Sequence, residues 1–77
     1  MINITEYKIQ LTKAKVAEKD VSLIIRCLEL LKRDGVSAGN LDIIVKNITA
    51  KPEFKASFMK DYKGAVKRIG INPVPSP

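Results

Sequence analysis

The apolar positions of the chain gather into four groups, and the densest is Val21-Ser-Leu-Ile-Ile-Arg-Cys-Leu-Glu-Leu-Leu31. Only Ser22, Arg26 and Glu29 interrupt it. At about 100° per residue its apolar side chains cover most of a helix circumference, wider than the stripe of a one-sided surface helix. Such a helix needs neighbours on several sides, so the other segments are expected to pack around it. The run is shorter than the roughly 20 apolar residues of a membrane span. Asp20 is a candidate N-cap. Lys32 and Arg33 suit the negative end of the helix dipole. Gly35 stands where a left-handed residue closes the helix, which places the element at about residues 21–34.

Upstream, Asn3-Ile-Thr-Glu6 fits a capping box, and Ile4, Tyr7, Leu11 and Ala14 then fall on one helical face. A strand competes for the same residues, because Tyr7, Ile9 and Leu11 alternate with Lys8, Gln10 and Thr12. Helix is preferred: the following Ala14-Lys-Val-Ala-Glu-Lys19 is helix-forming, and no second strand is available to pair with. Downstream, Ser37 can cap a third helix whose inner face is Leu41, Ile44, Val45 and Ile48, with Lys46 and Asn47 outward. The residue before proline is pushed out of helical angles, so Thr49-Ala-Lys-Pro52 ends that helix. Pro52 suits the first turn of a fourth.

The fourth helix is expected from Pro52 to Ile69, with Gly70 as its stop. Phe54, Phe58, Tyr62, Ala65, Val66 and Ile69 lie on one face within roughly 120°. Gly64 costs about 1 kcal/mol relative to Ala in mid-helix; it allows a close crossing or marks a break into two shorter helices. No internal repeat is visible. The predicted architecture is all-α: a small four-helix bundle in one domain over residues 1–70, with a helix-turn-helix-like corner. A disordered, flexible proline-rich C-terminal tail is expected over residues 71–77.

Composition narrows the chemistry. The chain of 77 residues has no histidine and one cysteine. An internal disulfide is impossible, nitrogen–sulfur metal sites are nearly excluded, and histidine acid/base chemistry is excluded. No carboxylate pair has the spacing of a buried acid/base dyad, and no glycine loop cradles a phosphate. The expectation is a non-enzymatic protein with no cofactor, no metal and no small-molecule substrate. Met1-Ile-Asn-Ile-Thr-Glu6 lacks a basic segment followed by an apolar one, so the expected location is intracellular, cytoplasmic or nuclear, without membrane contact.

The net charge is +6, and it is uneven. Residues 1–45 carry seven cations against six carboxylates; residues 46–77 carry seven against two. That bias favours a polyanion or an acidic protein surface as partner. Lys60, Lys63 and Lys67, extended by Arg68, sit together on one flank of the fourth helix at i, i+3, i+7 spacing. They can follow a phosphate backbone, or they can be a solvated face that keeps a small protein soluble.

The junction of the second and third helices carries Gly35, Val36, Ser37, Leu41 and Ile44. In these positions it resembles the helix-turn-helix of DNA-binding domains. The resemblance covers about 20 residues, and it implies that the third helix enters a major groove. Ser37, Asn40 and Lys46 are then the candidate contacts. Leu31 stands where that motif usually has a small residue, and Asp42 lies on the outward face. A plain helix–turn–helix corner, with Gly35 and Ser37 as caps only, also accounts for the same residues and is the preferred reading of this junction. Leu28, Leu31, Val36, Ser37 and Leu41 also distantly resemble the N-terminal helical domain of transcription elongation factor S, which implies a bundle that binds disordered peptide motifs. Two functional expectations follow. One is a nucleic-acid-binding or transcription-associated protein, on duplex DNA, through Ser37, Asn40, Lys46, Lys60, Lys63, Lys67 and Arg68. The other is a protein-interaction module that binds a peptide or forms a homodimer.

Overall fold

The computed structural model describes residues 4–72, and all regular structure among them is helical. In order these are α1 (Ile4–Lys13), α2 (Glu18–Arg33), α3 (Ala38–Ala50), α4 (Pro52–Lys60) and α5 (Tyr62–Arg68). The all-α expectation holds, with five helices in place of four. The N-terminal stretch is helix rather than strand, as expected. The capping role of Asn3 and residues 73–77 of the tail lie outside the described residues. Ile71, assigned to the tail by the sequence reading, is instead buried against the domain.

Helix α2 starts three residues earlier than the sequence suggests. Its N-cap is Ala17, which offers no side-chain oxygen. Asp20 is therefore inside the first turn, where its charge suits the positive end of the dipole, and its carboxylate takes the Lys55 ammonium of α4 at 3.5 Å. Helix α3 begins as expected, with Ser37 Oγ accepting from the Asn40 N–H at 3.2 Å. It ends at Ala50, one residue short of Lys51, which has extended angles before Pro52.

The anticipated long fourth helix is broken at Asp61. Asp61 adopts a non-helical conformation and its Oδ1 accepts from the Gly64 N–H at 3.2 Å, an N-cap that restarts the chain as α5. Gly64 supplies the N–H that the cap takes rather than being the break itself. A Cβ added there would meet Asp61 Oδ2 inside contact distance and Asp61 Cγ at 3.1 Å. Alanine in a helix normally gains up to about 1 kcal/mol over glycine. Here that gain is offset by displacement of the carboxylate and loss of a cap worth about 1 kcal/mol. Gly64→Ala is expected to be neutral or destabilising in the native chain and stabilising in an Asp61→Ala background. A double-mutant cycle in urea should show a coupling of about 1 kcal/mol, whereas strict additivity would contradict this account.

Three helices end by one device. The N–H of Val16 donates to Leu11 O and that of Lys15 to Thr12 O. Val36 donates to Leu31 O and Gly35 to Lys32 O; Ile71 donates to Val66 O and Gly70 to Lys67 O. Each is a paired terminal motif with a left-handed residue followed by an apolar one. Gly35 and Gly70 fill the left-handed place at φ +93° and +87°, but Lys15 fills it at φ 66°. An L-residue there costs about 1–2 kcal/mol, partly returned by the smaller unfolded-state entropy of a non-glycine. Lys15→Gly is therefore expected to stabilise the domain by about 0.5–1 kcal/mol, raising Tm by a few degrees in a thermal melt. Gly35→Ala should lower it.

The same device makes two matching corners. Tyr7, Leu11, Val16, Val21, Ile24 and Leu28 around the α1–α2 turn correspond, at constant spacing, to Cys27, Leu31, Val36, Leu41, Ile44 and Ile48 around the α2–α3 turn. All are buried except Val16, which is half-buried. Only three of the pairs share a residue type, Leu11 with Leu31, Val16 with Val36 and Ile24 with Ile44. The repeat is one of burial and helix termination, which is why no repeat shows in the letters alone.

Helix α2 touches α1, α3 and α4, so it has the several neighbours its broad apolar surface demands. Val21, Ile24, Cys27, Leu28 and Leu31 are buried, while Leu23 remains exposed on the far side. From the C-terminal half, Phe58, Ala65, Val66 and Ile71 enter the same core. Among the described residues the buried positions are all apolar or aromatic apart from the Cys27 thiol. Burial pushes the Cys27 thiol above its ordinary pKa, against a smaller opposing effect of Arg26, so the group is an inert part of the packing.

Candidate nucleic-acid interface

The α2–α3 corner is held from a third side. The Tyr7 hydroxyl donates to the Ala38 carbonyl at 3.3 Å, which ties α1 to the first turn of α3. Burial, and then the charges of Asp42 and Glu6, push this phenol above its ordinary pKa, so it stays a donor at neutral pH. The outward face of α3 presents Ala38, Gly39, Ile43 and Lys46. Of the expected contacts, Ser37 is exposed but its oxygen is engaged as the cap, and Asn40 is half-buried. Lys46 is exposed, with its ammonium 3.3 Å from Asp42 Oδ2 one turn earlier. The face of the third helix thus offers one cation, already partnered by a carboxylate, beside an exposed isoleucine.

The C-terminal cations are placed differently. The break at Asp61 removes the continuous i, i+3, i+7 flank that a single helix would have made. Lys60 ends α4, while Lys63 and Lys67 lie one turn apart on α5 with Arg68 beside them. All four are exposed. Among the described residues none of them has a carboxylate within salt-bridge distance, in contrast to Lys46 with Asp42 and Lys55 with Asp20. Lys67 and Arg68 occupy the last turn of α5 and Lys60 that of α4, where cations complement the helix dipole.

The elbow brings residues of α4 and α5 to one groove. Lys60 and Arg68 line one cavity of about 300 Å³ with Ser57, Asp61, Gly64 and Ala65. A second cavity of about 410 Å³ shares Ser57, Ala65 and Arg68 and extends along α4 to Lys51, Pro52 and Phe54. Arg68 therefore stands at the middle of a groove with a lysine towards each end. Lys51 and Phe54 were not among the expected site residues. The signal for them was not local, since it needs the turn at Asp61 to fold α5 back onto α4. Among the described residues no group of three or more histidine, cysteine, aspartate or glutamate side chains is placed to hold a metal ion. No helix there is long and apolar enough to cross a membrane.

Comparison of the chain with protein-family models, with curated proteins and with solved structures finds no match in any of the three.

Proposed function

We propose that this protein is a small, non-enzymatic nucleic-acid-binding domain that holds phosphates through the α4–α5 elbow, with Lys46 of α3 as a secondary contact. The observation that carries this reading is the set of exposed cations Lys60, Lys63, Lys67 and Arg68, none paired with a carboxylate among the described residues. Exposed cations without carboxylate partners raise the local potential and favour a polyanion. Duplex DNA is the first expectation, read through its backbone. Base-specific readout through α3 has little to work with, because Asn40 is half-buried and Lys46 is bound to Asp42.

Titration of labelled mixed-sequence duplex DNA at several salt concentrations tests the reading. Four phosphate contacts predict a slope of log affinity against log salt near −3.6, with binding lost steeply between about 50 and 200 mM salt. Absence of binding at low salt, from a chain of net charge +6, would remove the proposal.

One observation favours a protein-interaction module instead. Ile9, Leu23 and Ile43 are large, apolar and exposed, one on each of the first three helices. Affinity for a partner or a second copy through these side chains would persist in salt that abolishes phosphate binding, so the same titration separates the two readings.

A further inference from the structure

Phe54, Phe58 and Tyr62 form an aromatic ladder across the elbow. Neighbouring ring centroids are 6.1 Å and 6.2 Å apart, with interplanar angles of 33° and 60°. Phe58 is fully buried, while Phe54 is half-buried and stands at the outer end of the ladder, where it lines the larger cavity of the groove. A ring backed in this way by a fixed neighbour is a preorganised platform rather than a mobile side chain. Pro52 and Ala65 add apolar wall beside it, Ser57 contributes a hydroxyl, and Lys51 and Arg68 contribute charge. The cavity of about 410 Å³ is within the range that holds small organic groups.

From this juxtaposition we infer that the α4–α5 groove is a single-strand site, in which Phe54 stacks an unpaired base and Lys51, Arg68 and Lys60 take the flanking phosphates. The inference rests on the nucleic-acid reading above and adds the form of nucleic acid and the residue that distinguishes it. A repeating unit of one planar apolar group and one anion matches a groove that alternates an aromatic wall with cations. Duplex DNA keeps its bases stacked inside, so it can satisfy the cations but leaves Phe54 without a partner. Glu53 also lines the cavity and repels phosphate, which assigns the phosphates to the cations and the base to Phe54. Asp61, on the smaller cavity, has its carboxylate engaged by the Gly64 N–H.

The test uses the full chain and a labelled oligothymidylate of about ten nucleotides, a length typical for one small binding domain. The comparison strand is abasic, with the same length and phosphate number. The base-bearing strand is expected to bind more tightly, by roughly 5- to 150-fold if one base is stacked. Phe54→Leu, which keeps apolar bulk, should erase most of that difference while leaving the salt slope unchanged. Because the strand comparison uses the unaltered protein, it stands even if a Phe54 variant folds poorly. Equal affinity for the abasic strand would overturn the inference, and so would retention of the full difference by a folded Phe54→Leu variant. An acidic peptide bearing an aromatic residue that bound more tightly than the oligonucleotide at matched charge would also overturn it and give the groove to a protein partner. Equal binding of abasic, base-bearing and duplex strands, all salt-sensitive, would sink this inference and leave the proposed function standing. Failure of every strand to bind at low salt would sink both.

Discussion

Phe58→Ala is expected to strip the domain of a large part of its stability, lowering its melting midpoint by about 12 °C or more. Phe58 is fully buried, and α4 places it where α2, α3 and α5 meet. Truncating a buried phenylalanine costs about 3–5 kcal/mol, from lost transfer energy and the cavity left behind. A chain of 77 residues has roughly 4–12 kcal/mol of stability in total, so one truncation removes a large part of it. The loss is larger than at an isolated core site, because Phe54 and Tyr62 both rest on this ring. Circular dichroism should show lost cooperativity, or a melting midpoint lowered by about 12 °C or more. Lys63→Ala on the exposed face of α5 should melt like the parent. A Phe58→Ala variant with an unchanged midpoint would mean that α4 and α5 are not part of the cooperative unit.

Reversal of three charges, Lys60→Glu with Lys63→Glu and Lys67→Glu, is expected to have the largest effect on binding. Each reversal removes two units, so together they cancel the whole net charge of +6. All three side chains are exposed and make no ion pair among the described residues. Reversal at Lys60 and Lys67 places carboxylates at the negative ends of α4 and α5, which costs about 0.3–1 kcal/mol each, so circular dichroism of the variant checks its fold before binding is read. Affinity for duplex DNA at about 50 mM salt should fall on the order of 100-fold, equally for unrelated sequences, and neutral replacements should flatten the salt slope by about three. Asp42→Asn, by contrast, should raise affinity modestly, because it releases Lys46 from its carboxylate. If the triple reversal binds like the parent, the elbow is not the contact surface.

Much of the fold is legible in the chain. The breadth of the apolar run in α2 foretells its three neighbours. Gly35 and Gly70 mark helix ends because only glycine takes their φ values without strain, and Ser37 and Pro52 mark helix starts by capping and fixed φ. What escapes the sequence escapes for identifiable reasons. Lys15 closes α1 in a left-handed conformation for which its side chain gives no signal, so the stretch Ala14–Lys19 reads as continuing helix. Ala17 caps α2 without a side-chain bond, which leaves Asp20 looking like the cap. Asp61 sits in a run whose apolar spacing continues through it. Asp61 as a cap-forming residue three positions before Gly64 is the one local hint. The candidate site is legible only in part. The cations Lys60, Lys63, Lys67 and Arg68 follow from charge counting, but their arrangement and the addition of Lys51 and Phe54 depend on the turn at Asp61.

Which face meets the polyanion is measured directly by amide chemical shifts of isotope-labelled protein titrated with duplex DNA. Perturbations should concentrate on Lys51, Ser57 and the stretch from Lys60 to Arg68, with a weaker response near Lys46 and none around Ile9 or Leu23. Shifts centred on α1 and the outer side of α2, with the elbow silent, would contradict that placement.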